Sequence, residues 1–216
     1  MTVLPFQSFL GTSMEQAAPE VQKHFLQSSG TRRYRGVMKR VWRRAGWQGK
    51  LAGPFLKIGS WTGNLFADTG TDVPFELENA VTSLPDGRAS MTWDRTFYFP
   101  KATRRFKAVM VFDPERRAII DRLGKSGHLE VELYAQVCEG AMIIQSGRQW
   151  LRLGSLRLPL PSWFAGRANV REWQEADGSL GISVTIYNRL LGDFFGYEGS
   201  FTIEAAREFD YGRENQ

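Results

Sequence analysis

From Val73 to Glu204 the chain breaks into short stretches of aliphatic, β-branched and aromatic residues separated by turn-forming pairs. That pattern admits few folds. VPFELENAVTSL (73–84) and GRASMTWDRTFYF (87–99) flank Pro85-Asp86-Gly87, a hairpin signal. RRFKAVMVF (104–112) and RRAIIDRL (116–123) are joined by Asp113-Pro114-Glu115. In 128–137, Leu129, Val131, Leu133, Ala135 and Val137 all fall on one side of an extended chain. Glu139-Gly140 leads into 141–153, Asp177-Gly178 separates 169–175 from 179–188, and 194–204 ends the series. Pro159 and Pro161 exclude a central strand at 158–163, because proline cannot donate to a ladder. Tightly connected strands make an antiparallel meander, and about eight to nine of them are enough to curl. The expected class is α+β and mostly β: a curved antiparallel meander sheet or barrel-like fold with an N-terminal helix and a short helical insert. With no internal repeat or linker, 1–216 reads as a single domain with a polar tail at 205–216.

Residues 13–27 read as a helix, with Ser13 as cap, Gln16 at the capping-box spacing and Pro19 restarting it. Val21 and Phe25 form its apolar side, and 28–31 stops it. Glycines at 49, 53, 59, 63 and 70 punctuate 47–71, where a short helix at 50–58 fits a lid or plug. The stretch RRYRGVMKRVWRRAGW (32–47) is harder. Tyr34, Val37, Met38, Val41, Trp42 and Ala45 match the template of an amphipathic helix with a basic opposite face. Such a helix suits a membrane interface. Gly36 argues against it, at roughly 1 kcal/mol relative to alanine.

Composition narrows the chemistry. A single cysteine, Cys138, forbids an intrachain disulfide and fits a reducing compartment. With only His24 and His128 beside it, no metal or other cofactor is expected. Net charge is +5, a mild bias toward anionic partners. The N-terminus lacks the pattern of a secretory signal, and no run of apolar residues could span a bilayer. The expected location is cytoplasmic, with peripheral membrane contact as an additional possibility.

Several pieces occur together in order: FLG…PEVQKHF (9–25), YRG (34–36), DVPF (72–75), WDRTFYF (93–99), RLG (122–124), PLPSWFAG (159–166), VREWQE (170–175) and YEGSF (197–201). In them the chain resembles the bacterial domain-of-unknown-function family four-one-six-six, over nearly its whole length. That family also occurs as the C-terminal part of saccharopine-dehydrogenase-like proteins and of some membrane proteins. The resemblance implies a β-rich domain with no assigned chemistry. It implies a strand around Tyr34–Gly36 with the helix placed later, near Lys50, against the periodicity. The strand reading is adopted, its charge falling on an outer face or edge where basic residues discourage edge pairing. The glycine-rich insert at 47–71 is longer than the family pattern.

Alternation places Met91, Trp93, Arg95, Phe97 and Phe99 on one face, so Arg95 points where the aromatics point. An unpaired buried charge costs several kcal/mol, so Arg95 needs an acid. It either grips the acidic head group of a ligand or pairs with Asp121, Glu172 or Glu198. Phe75, Leu77, Asn79 and Val81 share a face of the neighbouring strand. Arg95, Asn79, Trp93, Phe97 and Tyr197 are therefore the candidate ligand-binding residues, with Asn79 and Tyr197 as hydrogen-bonding partners of the head group. GKSG (124–127) lacks the first glycine of a phosphate loop, with Ile119 in its place, and reads as a hairpin turn. No nucleophile elbow or dinucleotide motif occurs. His24, on the polar or boundary side of its helix, and His128, opening a strand, are weak general-base candidates. Cys138 reads as a packing thiol. The pairs Glu76/Glu78 and Glu130/Glu132 fall on the solvated face, away from paired-carboxylate chemistry.

The leading expectation is a non-catalytic domain that binds a lipid-like or apolar small molecule inside a curved sheet. The alternatives are an accessory or substrate domain of an oxidoreductase system, suggested by the family's fusions, and association with an anionic membrane surface through residues 32–50 and Trp61. Nucleic acid is not an expected partner, since no recognition motif accompanies the basic cluster.

Overall fold

The structure, a computed structural model, describes residues 4–27, 29–45, 66–124, 127–161, 163 and 165–204. The proposed helical insert at 50–58, Trp61, Lys125-Ser126 of the GKSG stretch and the tail at 205–216 lie outside them.

Eleven antiparallel strands follow three short helical segments among the described residues. They are β1 (Gly30–Arg43), β2 (Gly70–Ser83), β3 (Ala89–Phe99), β4 (Ala102–Asp113), β5 (Ala118–Leu123), β6 (Leu129–Cys138), β7 (Ala141–Leu153), β8 (Leu156–Pro159), β9 (Arg167–Gln174), β10 (Leu180–Asn188) and β11 (Gly192–Ile203). Their order, β6-β5-β4-β3-β2-β1-β11-β10-β9-β7 with β6 paired to β7, closes a ten-stranded barrel. The ring has ten strands against the eight to nine expected: nine match the stretches from Val73 onward, and β1 is the strand implied by the resemblance. β8 lies outside the ring, paired only to the end of β7, with Pro159 opposite Trp150. Pro159 thus sits where a ladder needs no second partner, and Pro161 lies beyond the end of the strand.

Alternation drives the closure. β3 buries Met91, Trp93, Arg95, Phe97 and Phe99 inward. The β6–β7 hairpin is tight because Glu139 (φ 51°) and Gly140 (φ 77°) both take the left-handed conformation that suits a two-residue connection.

β1 explains its own misleading periodicity. Its inward residues are Tyr34, Met38 and Val41, and the pairing with β11 shifts register between Val37 and Arg40. A β-bulge there skips one residue, so a strand buries positions at helix-like spacing. Glycines flank the bulge, where β1 and β11 leave no room for a side chain. A Cβ on Gly36 would lie 2.0 Å from the Ser200 carbonyl oxygen, and one on Gly199 would lie 2.2 Å from that of Val37. On the outer face Arg33 pairs with Glu78, and Arg35 with Glu76 and Glu204. Two of the stretch's cations are thereby neutralised along an ordinary strand.

The N-terminal helix differs from the expectation. The chain forms α1 (Pro5–Leu10), a 3₁₀ turn (Gly11–Gln16) and α2 (Pro19–Phe25). Neither α-helix has a side-chain cap, and Ser13 lies inside the 3₁₀ turn. Prolines in the first turns of α1 and α2 do the starting instead. These segments close one end of the barrel. Phe6 and Phe25 pack on Trp93 with ring centroids 5.9 and 5.4 Å away. Ala18 donates its amide to Gly140 at the β6–β7 tip, and Glu20 donates its amide to Gln174 of β9. The plug is therefore sewn to the strands by polar bonds as well as by its apolar face.

Candidate functional site

Above the plug the described residues leave the interior unfilled. A cavity of about 910 Å³ runs from the level of Trp93 and Arg95 to the opposite end, lined mainly by aliphatic and aromatic side chains. This size falls near the upper end of the range of small-molecule pockets. Trp93, Arg95, Phe97 and Tyr197 line it. Asn79 does not. It is fully buried beside α2, where its Nδ2 donates to the His24 carbonyl at 3.2 Å and its own carbonyl accepts from Gln27. The sequence therefore brings four of its five candidates to the cavity, while the fifth fastens the plug.

Arg95 is buried and points inward. Its guanidinium lies over the rings of Trp93 and Phe106, 4.9 and 5.2 Å from their centroids. It forms no ion pair with a described carboxylate. Glu198, one expected partner, is exposed on the outside of β11. Asp121 and Glu172 do share the interior with Arg95, which acts on both through space.

Asp121 lines the cavity from β5, and its Oδ1 is buried without a hydrogen-bond partner among the described residues. Burial raises its carboxyl to about 7, opposed by Arg95 and by the backbone amide of Val109. Glu172 of β9 lies deeper and is likewise raised to about 7 by burial, opposed by Arg95. Its Oε2 comes within 3.5 Å of His24 Nε2, but neither atom has a hydrogen bond. Burial, reinforced by Arg95 and Arg32, lowers His24 to about 3. We therefore read this contact as a neutral imidazole beside a carboxyl that ionises near neutrality, rather than as an ion pair, since two bare charges there would lack compensating bonds. His24 is not on a polar side of its helix: it is 1% exposed and stacks on Trp93 at 5.2 Å.

The floor is thus a layered polar cluster under an apolar well. Trp93, Arg95, Asp121 and Tyr197 reach the cavity, with His24 and Glu172 beneath. Such a floor offers a permanent cation, a carboxyl that switches between donor and acceptor, and a phenol. His128 lines the other end of the cavity, with Nε2 buried and unpartnered among the described residues. The described residues hold no cluster of metal-ligating side chains.

Other expectations change. Glu130 and Glu132 face outward yet are buried. Arg116, Arg122, Arg152 and Arg157 surround Glu130, while Arg148 and Tyr134 cover Glu132. Long arginine stems fold over these carboxylates instead of leaving them in water. Cys138, at the end of β6, is exposed rather than packed. Among the described residues no helix is long and apolar enough to cross a membrane.

Two comparisons with known proteins bear on this chain. The profile of a domain of unknown function, DUF4166, matches residues 18–201. The uncharacterized protein YndH of Bacillus subtilis (strain 168) is 34% identical over 151 residues, covering 69% of this chain and 74% of that protein.

Proposed function

We propose that this chain, which belongs to the DUF4166 family, is a non-catalytic container for an apolar small molecule carrying an acidic group. The observation that carries the reading is Arg95: a buried guanidinium without an ion-pair partner among the described residues, at the floor of a cavity of about 910 Å³ with apolar walls. A carboxylate or similar head group would supply the missing anion, and the tail would replace water along Phe97, Phe106 and Val184. Tyr197 stands on the same floor as a hydrogen-bonding partner.

Native mass spectrometry of the freshly purified protein, followed by organic extraction, tests for a resident amphiphile. Titration with a fluorescent long-chain carboxylic acid then tests the site. Charge-assisted hydrogen bonds contribute about 1.5–3 kcal/mol, so Arg95→Met should weaken binding by about tenfold or more. Equal affinity in a folded Arg95→Met variant would refute the role of Arg95.

One observation favours a second reading, an acid–base enzyme working in the same cavity. Asp121 presents a buried, unpartnered carboxyl oxygen to an apolar space, and its carboxyl ionises at about 7. That is the setting of a general base. Deuterium incorporation from heavy water next to the carbonyl of a bound apolar ketone, lost in Asp121→Asn, is its expected signature. Binding without exchange leaves the container.

A further inference from the structure

Among the described residues, the end of the barrel opposite the plug carries an apolar lip. β7 and β8 form a hairpin that extends beyond the ring. Leu151 pairs with Leu158, and both line the cavity; Leu153 pairs with Leu156 one step nearer the tip. Directly paired residues share a face, so the leucines continue the cavity wall outward. Arg152 and Arg157, paired between them, take the opposite face. At the tip Leu153 is 56% and Leu156 53% exposed. Two strands along the rim from β7, Leu190 in the β10–β11 turn is 64% exposed and also lines the cavity.

These leucines are held out by structure. Asn188 is buried; its Oδ1 accepts from the amides of Leu190 and Leu191, and its Nδ2 donates to the carbonyls of Trp163 and Ala165. One polar side chain thus fixes the turn against the neighbouring segment of the mouth. Exposing leucines on a braced scaffold is unfavourable in water unless another surface covers them.

The charge around the lip indicates which surface. Residues 151–167 contain three arginines and no acid, and at the β10–β11 turn Arg189 adjoins Leu190, with Asp193 following. The single buried carboxylate of Glu130 serves Arg116, Arg122, Arg152 and Arg157 together, leaving the hairpin's outer face cationic. Apolar tips framed by arginine complement a bilayer with anionic head groups. We propose that the β7–β8 hairpin and the β10–β11 turn dock the mouth of the barrel onto an anionic membrane surface, so that an apolar ligand passes between bilayer and cavity without crossing water. The basic stretch meets this surface only at its end, where Arg44 donates to the Leu191 carbonyl of the β10–β11 turn. Docking itself stands apart from ligand binding; only the passage of ligand rests on the container reading.

The test is vesicle flotation of the full chain at low salt, using phosphatidylcholine vesicles with and without phosphatidylserine. Uptake of a fluorescent fatty acid is measured separately, so loss of the container and loss of docking are told apart. The expected result is binding to the anionic vesicles, at least tenfold weaker in Leu153→Asp/Leu156→Asp, which lie beyond the cavity lining, and about fivefold weaker in Arg189→Glu. Both variants should keep the far-ultraviolet spectrum and fatty-acid uptake of the parent. Should the double variant unfold, Leu156→Ser serves in its place and should weaken binding severalfold. The proposal is overturned by a parent protein that ignores anionic vesicles, by folded lip variants that bind like the parent, or by equal binding to vesicles lacking phosphatidylserine. It is also overturned if charge reversal at Lys39 and Arg40 alone, away from the mouth, abolishes binding.

Discussion

Asp121→Asn gives a direct test of the electrostatics inside the barrel. In the folded protein the carboxyl ionises at about 7, against 3.8 when free of the fold. The folded state therefore holds a proton that the unfolded chain has released throughout the interval between those values. Stability from this group is complete below about pH 4 and is lost as pH rises through 7. The whole interval from 3.8 to about 7 corresponds to about 4 kcal/mol, and the part of it above about pH 5 to about 3 kcal/mol. Asparagine copies the shape of the protonated acid and never ionises. Glu172 has the same direction of dependence and His24 the opposite one, since its neutral form is favoured and stability is lost as pH falls from about 6.5 to about 3. Both are present in parent and variant and largely cancel in the comparison. Urea unfolding of the two proteins from about pH 5 to about pH 9 measures what is left. Relative to the parent, the variant should gain about 3 kcal/mol across that range. A difference that stays constant within about 1 kcal/mol would refute the reasoning and would mean that water solvates Asp121 as it does a surface acid.

Gly36→Ala should destabilise the barrel by about 1–3 kcal/mol or more, because the new methyl meets the β11 backbone; a melting temperature equal to the parent's would contradict the observed crossing. Asn79→Ala should cost about 1–3 kcal/mol by leaving the His24 carbonyl unsatisfied, and hydrogen exchange should rise in α2 before it rises in the strands. Arg35→Ala, on the outer face, should change stability by less than about 1 kcal/mol, since its ion pairs with Glu76 and Glu204 are solvent-screened. Cys138 should react with a maleimide in the native protein as fast as in urea, because it is exposed.

Alternation made the interior legible in the sequence. The residues of β3 that repeat every second position are the ones that point inward, Arg95 included. The same rule could have found Asp121, which lies between Ile119 and Leu123 on an apolar face, and Glu172, which lies between Val170 and Gln174. In the sequence they stood out only as partners for Arg95. His24 gave no such signal, because its burial depends on how α2 meets Trp93, a contact between distant segments. β1 was obscured for a local reason: its bulge imitates helical spacing, and the resemblance carried more information there than periodicity did. The glutamates of β6 were misplaced because alternation tells which side of a sheet a residue faces, not whether arginines from neighbouring strands will fold over it. Closure of the ring depends on β7 meeting β9 over Met142–Gln145, a pairing that no turn residue announces.

The position of β1 between β2 and β11 has a consequence during synthesis. Tyr34 emerges from the ribosome early, but its opposite number on one side, Ile203, comes almost at the end of the barrel. Until then β1 has one neighbour, the meander has two raw edges, and Phe75, Trp93 and Phe97 face an unclosed trough. Pairings this distant in sequence form slowly and leave sticky intermediates. The cations along β1 then act in time as well as in space: Lys39, Arg40 and Arg43 hold an unfinished edge apart from other nascent chains until the last strand arrives.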